Sequence, residues 1–238
     1  MSRILCLAPS GFGKTSSFGK IPDLGIEGLN PKETFLIQVK GKPLPFVNAK
    51  DYVLTTPEEL AKGNRIVSNN PEIVAMVLLK LASPNSPFKN VVLDDTNYLM
   101  QDWYMDNALK SGWDAPKKIG YFMGRLFFAI EKFQEIDKNV FVMAHGENVT
   151  GADGRTYVKF KTTGKMVDEY ITPEGLFDIT LVGKSRFDDA TKKVVKEYIT
   201  NEDEFFSSPK SAYGMFDKLY IPNDLGYVVS KINAFYGV

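Results

Sequence analysis

Eight residues constrain this chain more than any others: Ala8-Pro9-Ser10-Gly11-Phe12-Gly13-Lys14-Thr15. An apolar run, Ile4-Leu5-Cys6-Leu7, precedes them, and a polar, helix-compatible segment follows. The pattern is that of a phosphate-binding P-loop, with Ala8 where a glycine is commoner. It requires a buried strand to turn sharply into a helix, so that successive backbone N–H groups surround an anion. Gly11 and Gly13 permit close backbone approach. Lys14 carries its charge toward the β- and γ-phosphates, and Thr15 offers a hydroxyl to Mg²⁺. Pro9, Ser10, Phe12 and Ser16 complete the expected nucleotide-binding stretch. The competing account is a chance match in a glycine-containing turn; the strand before the loop and the helix after it weigh against that.

The segments that follow alternate between strand and helix patterns. Thr34–Val39, Asn90–Asp95 and Asn139–Ala144 read as buried strands, and 51–56 as a short edge strand. Residues 14–20 begin a helix that Pro22 and Gly25 keep short. Asn70–Leu81 reads as a helix with Asn70 as cap and Pro71 at its first position, followed by helices over 96–111 and 117–137. Such alternation predicts a parallel sheet with helical crossovers, and ligands at the carboxyl ends of its strands. After residue 145 the character changes. Arg155–Thr162 alternates like an exposed strand, and Phe177–Val182 and Val194–Ile199 flank a turn at 188–191. Residues 200–209 read as surface loop and 223–236 as a last helix. The expected architecture is α/β: a mainly parallel central sheet flanked by helices, with an antiparallel hairpin extension toward the C-terminus. Residues 1–199 form the expected core, with 200–238 a loop and helix packed on it.

Composition excludes more than it selects. Twenty-nine basic and 29 acidic residues cancel, so any surface for a polyanion must be a local patch. A single cysteine, Cys6, rules out an intramolecular disulfide framework and suits a reducing, cytoplasmic compartment. No apolar run approaches the length of a membrane span, and no membrane partner is expected.

Two further signals, Asp94-Asp95 and His145, follow predicted strands directly and converge with the loop on one sheet edge. Asp94-Asp95 ends an apolar strand. One carboxylate of such a pair holds Mg²⁺ beside the Thr15 hydroxyl, assigned to Asp94; the other, Asp95, is placed to polarise an attacking water. His145, the sole histidine, follows the next core strand, where its imidazole can sense a γ-phosphate; Glu147 can join it or stand exposed. Lys184-Ser185-Arg186 sets two cations on one side of a strand, placed to reach a neighbouring subunit's γ-phosphate in trans or simply to face solvent. Arg155, Lys159, Lys161 and Lys165, interleaved with Tyr157 and Phe160, form either a surface for single-stranded nucleic acid or a solvated amphipathic hairpin.

With these pieces in place, the chain resembles the small RecA-like P-loop ATPases of bacteriophages, some of which act in single-strand annealing or recombination. The resemblance rests on Ala8–Thr15, Val91-Val92-Leu93-Asp94-Asp95, Val142-Met143-Ala144-His145-Gly146-Glu147 and Gly183-Lys184-Ser185-Arg186. It implies ATP and Mg²⁺ as cofactors, a homo-oligomeric ring or filament, single-stranded DNA as partner, and the host cytoplasm as location. One departure stands out. RecA-type recombinases carry a catalytic glutamate just after the second core strand, where this chain reads Gln38-Val39-Lys40-Gly41-Lys42. Either Asp95 or Glu147 does that work, or hydrolysis is slow. Two rival functions share the loop: a small-molecule or nucleotide kinase, and a non-hydrolysing ATP-dependent scaffold.

Overall fold

A computed structural model describes residues 2–109, 114–163 and 171–237. Its centre is an eight-stranded sheet. The strands are β1 (Arg3–Leu7), β2 (Thr34–Gln38), β3 (Arg65–Val67), β4 (Asn90–Asp94), β5 (Asn139–Ala144), β8 (Ile179–Asp188), β9 (Lys193–Ile199) and β10 (Tyr220–Pro222). Two more, β6 (Gly146–Thr150) and β7 (Thr156–Phe160), form a separate antiparallel hairpin. The large sheet runs in the order β10-β9-β8-β1-β5-β4-β2-β3. Six neighbours, β8 through β3, are parallel; β9 and β10 add antiparallel pairs at the β8 edge. One strand, β5, thus separates the loop-bearing β1 from the acidic β4. This is the RecA-like α/β arrangement, and it carries the expected antiparallel extension.

The strands read as continuous apolar runs because both faces of the sheet are covered. Leu5, Leu7, Phe35, Ile37, Val91, Leu93, Val140 and Val142 pack against helices α1 (Pro71–Leu81), α2 (Asn97–Asn107) and α3 (Asp114–Glu131). The alternate residues Ile4, Cys6, Leu36, Val92, Phe141 and Met143 pack on the other side. Their partners there are helix α4 (Leu225–Tyr236) and Phe18, Leu29, Phe46 and Tyr52 from the irregular segment after the loop. Asn70 caps α1 as its sequence predicts, its Oδ1 accepting from the N–H groups of Glu72 and Ile73. Among the described residues no helix is long and apolar enough to cross a membrane.

Several elements differ from the sequence reading. The helix after the loop is a single 3₁₀ turn, Thr15–Phe18. It ends at Gly19, where a Cβ would lie 1.9 Å from the Phe46 ring, so the chain turns away there to seat that ring. Residues 51–56 do not form an edge strand. Backbone bonds still join them to the start of β3, Thr55 N donating to Arg65 O and the N–H groups of Asn64 and Arg65 donating to Val53 O. The Asn64 side chain adds to these, its Oδ1 accepting from Val53 N at 2.6 Å and its Nδ2 donating to Pro31 O at 2.7 Å. Only an isolated bridge, Leu54 to Arg65, remains, and β3 is the edge. The stretch after His145 is strand β6, paired with β7. Strand β8 runs six residues beyond Val182 as a two-stranded ribbon with β9.

Candidate functional site

The loop is held from below and from both sides. Phe12 is 1% exposed: it anchors the loop in the core, its ring 5.3 Å from that of Tyr198, and leaves only its backbone for a ligand. Gly183 faces it; a Cβ there would lie 2.6 Å from Ala8 Cβ and 2.8 Å from the Phe12 ring. Gly11 and Gly13 take φ of 77° and 98°, the left-handed region their lack of a side chain permits. Lys196 of β9 donates to Gly11 O at 2.6 Å, and Asn223, beyond β10, donates to Gly13 O at 3.1 Å. Neighbouring Asp224 ties this segment down by accepting from the backbone N–H groups of Glu27, Gly28 and Gly226. Among the described residues, no acceptor takes the N–H of Gly11, Gly13, Lys14, Thr15 or Ser16. Those donors are free for an anion.

The catalytic side chains expected from the sequence mostly meet here. Lys14 donates to Ala8 O at 2.8 Å and Pro9 O at 3.1 Å, and its Nζ lies 3.3 Å from His145 Nδ1. Burial pushes its pKa down to about 8, against the pull of Asp94 and Asp95. His145 is held below its ordinary value by burial and then by the Lys14 charge, so it is the neutral acceptor of that pair. Its position is set by Asn97, whose Oδ1 accepts from His145 N and whose Nδ2 donates to Lys161 O. Thr15 Oγ1 donates to Asp94 Oδ2 at 2.9 Å. Burial, reinforced by Asp95, pushes the Asp94 carboxyl up to about 7. The second Asp94 oxygen, Oδ1, is buried with no partner. A hydroxyl and a carboxylate with one orphaned oxygen form a hard, oxygen-only donor set, which fits a hydrated Mg²⁺.

Asp95 stands in the left-handed region, φ 63°, and bonds Lys42 Nζ at 2.9 Å. Lys42 in turn lies over the Tyr98 ring at 5.1 Å from its centroid, and that ring meets the His145 ring edge-on at 6.0 Å. Contacts therefore run in a closed circuit around the loop's open end: Thr15, Asp94, Asp95, Lys42, Tyr98, His145, Lys14. A polar cavity of about 380 Å³ adjoins it, lined by Ser10, Tyr98, Gln101, His145 and Lys161 among others. A larger concavity of about 640 Å³ lies at the far ends of the strands, around Pro31, Lys50 and Asn64, away from all of these groups.

Other expected residues lie elsewhere. Glu147 is exposed on β6, opposite Lys159, and no contact brings it to Lys14 or Asp94. Lys184 lies over the rings of Phe205, Phe206 and Tyr220, and Arg186 is paired with Glu197 at 2.8 Å. Arg155 is tied to Asp153 and Glu202, both at 2.9 Å. Lys159 is exposed, Lys161 lines the polar cavity, and Lys165 lies outside the described residues. Sequence reasoning missed Lys42, Asn97, Tyr98, Lys196 and Asn223. Only Lys42 left a trace, as a cation just past β2 where a carboxylate is usual.

Fold and site together define a P-loop protein of RecA-like architecture. No known family matches the chain, and no curated protein does. Among solved structures it is similar to a KaiC-like protein of the hyperthermophilic archaeon Pyrococcus horikoshii OT3, at 12% identity and a TM-score of 0.45, over 83% of this chain and 77% of that one. So loose a likeness leaves the architecture to be read from the strand order and the loop.

Proposed function

We propose that this chain binds ATP with Mg²⁺ and hydrolyses it slowly, as a homo-oligomer acting on single-stranded DNA in phage recombination, annealing or replication. The observation that carries the nucleotide reading is the meeting of free loop N–H groups, Lys14, His145 and the Thr15–Asp94 pair at one sheet edge. Thr15 Oγ1 and Asp94 would hold Mg²⁺, which when bound neutralises charge on the β- and γ-phosphates. Lys14 leaves its two loop carbonyls for the phosphates. His145, neutral, accepts from Lys14 and so registers whether that ammonium has moved. Slow turnover follows from the base: Asp95 is held by Lys42, and residues 38–42 offer no other carboxylate.

The same pairing favours a second reading, an ATP-dependent scaffold with no meaningful turnover. Arg186 fits the trans role only after exchanging Glu197 for a neighbour's phosphate. Exposed Lys159 marks the surface assigned to DNA. The test is ATP binding and hydrolysis by the full chain and by Lys14→Ala, with and without single-stranded DNA. Binding lost in Lys14→Ala, with turnover stimulated by DNA, is expected. Unchanged binding in that variant removes the nucleotide reading. Tight ATP-dependent assembly without turnover selects the scaffold, and phosphate transfer to a nucleotide or other small molecule would overturn hydrolysis in favour of a kinase.

A further inference from the structure

The circuit around Lys14 contains one cation that the P-loop pattern does not call for. We propose that Lys42 reads the γ-phosphate in cis: it leaves Asp95 for that phosphate when ATP is bound, and stays on Asp95 when ADP is bound. This rests on the nucleotide reading above and deepens it.

Four observations carry it. The first is reach. Lys42 Nζ lies 2.9 Å from Asp95, and its charge acts on both Lys14 and His145, the two groups that bracket the loop's open end. The second is mobility within the pair. The Lys42 side chain is 58% exposed and that of Asp95 10%, so the cation is the half that can move. The third is a fixed pivot. Gln38 Nε2 donates to Lys42 O at 3.0 Å while Arg65 donates to Gln38 Oε1 at 2.8 Å. Lys40, two residues back, is clamped by both oxygens of Asp102 at 2.6 Å. The backbone is therefore held on both sides of Gly41, and only the Lys42 stem needs to swing. The fourth is charge. With Mg²⁺ on Thr15 and Asp94 and the Lys14 ammonium on the phosphates, Asp95 is the carboxylate that Lys42 alone compensates, and a terminal phosphate entering beside it meets a like charge. Lys42 offsets that repulsion. By leaving Asp95 it also frees the one carboxylate available to polarise a water, so that the base is released only when there is a γ-phosphate to attack. The Tyr98 ring borders the path, with Lys42 Nζ 5.1 Å from its centroid and the His145 ring meeting it edge-on.

The test uses the full chain with Mg²⁺ and measures affinity for ADP and for a nonhydrolysable ATP analogue. The proteins are the wild type, Lys42→Met, Lys42→Arg, Asp95→Asn and the double variant Lys42→Met/Asp95→Asn. Lys42→Met keeps the apolar stem on Tyr98 and removes the charge. It should weaken the ATP analogue about 10- to 100-fold, the loss typical of one hydrogen bond to a charged group, with ADP unchanged within about twofold. Lys42→Arg should recover most of the loss. Asp95→Asn should tighten the analogue when Lys42 is present, because the lysine no longer has a competing partner, and less so in the Lys42→Met background. Equal losses for both nucleotides, or an Asp95→Asn effect of the same size in both backgrounds, would overturn the proposal; the second result is what bare electrostatic repulsion gives. Those results together with lost binding in Lys14→Ala would leave the nucleotide reading standing. Failure of the wild type to bind either nucleotide would remove both.

Discussion

Asp94 in the metal-free, nucleotide-free protein should destabilise the fold, and the pH at which it does so follows from its burial. The residue is 1% exposed, accepts one hydrogen bond from Thr15, and leaves Oδ1 without a partner. Its carboxyl is raised from 3.8 to about 7, first by burial and then by Asp95. Below its unfolded value the carboxyl is protonated in both states and has no effect. Between that value and the folded one the folded chain holds a proton that the unfolded chain has lost, so stability falls as pH rises through this window and levels off above it. At about 1.4 kcal/mol per pH unit, the loss between about pH 5.5 and about pH 7.5 is about 2 kcal/mol. His145, whose pKa is lowered, works in the opposite sense, gaining stability as pH rises toward its unfolded value. Lys14, lowered to about 8, stays largely charged over the window. Both groups are present in Asp94→Asn, so the difference between the two proteins reports the carboxylate together with its coupling to Lys14. Urea denaturation in EDTA should show the variant gaining on the wild type by about 2 kcal/mol across this range. Parallel stability curves would refute the reasoning. Mg²⁺ with nucleotide at about 100 times its Kd should then restore about 2.7 kcal/mol to the wild type and little to the variant.

Two further predictions concern how the loop is held. Asp224→Ala strips acceptors from three backbone N–H groups, one of them capping α4, and should cost about 2 kcal/mol in chemical denaturation while weakening nucleotide binding. Gly183→Ala puts a methyl 2.6 Å from Ala8 Cβ, an overpacking worth about 1–3 kcal/mol. Its signature should be a lowered melting temperature together with reduced affinity for ATP, since the clash pushes on the loop itself.

The sheet was legible because its strands are apolar on both faces and end in functional groups. Asp94 ends β4 and His145 directly follows β5, so a reading of where the apolar runs stop also brought these two residues to the edge that holds the loop. Less was legible where side chains supplement a few backbone bonds. Residues 53–55 make backbone bonds to Asn64 and Arg65, and the Asn64 side chain also holds Val53 and Asp51, and nothing in the composition of residues 51–64 distinguishes that from a strand. The hairpin strand β6 was missed because Glu147–Thr150 are exposed and lack an apolar alternation. The contacts of Lys196 and Asn223 with the loop span 185 and 210 residues, distances over which no local pattern carries information. For Lys42 the signal lay in what the segment lacks, a carboxylate, and the meaning of the lysine emerged only with Asp95 opposite it.

The bond from Asn223 to Gly13 also has a consequence in time. The anion cradle lies at residues 8–15, yet one of its fastenings is made more than two hundred residues further along the chain. Strand β1, which aims the loop, is itself an interior strand whose neighbours β5 and β8 lie far downstream. At about 5–20 residues per second, the ribosome needs about 10–40 s after making the loop to deliver Asn223. During that interval the nascent chain carries a recognisable phosphate motif that is not yet braced to hold a phosphate. A nascent chain arrested before residue 223 therefore carries the motif without that brace.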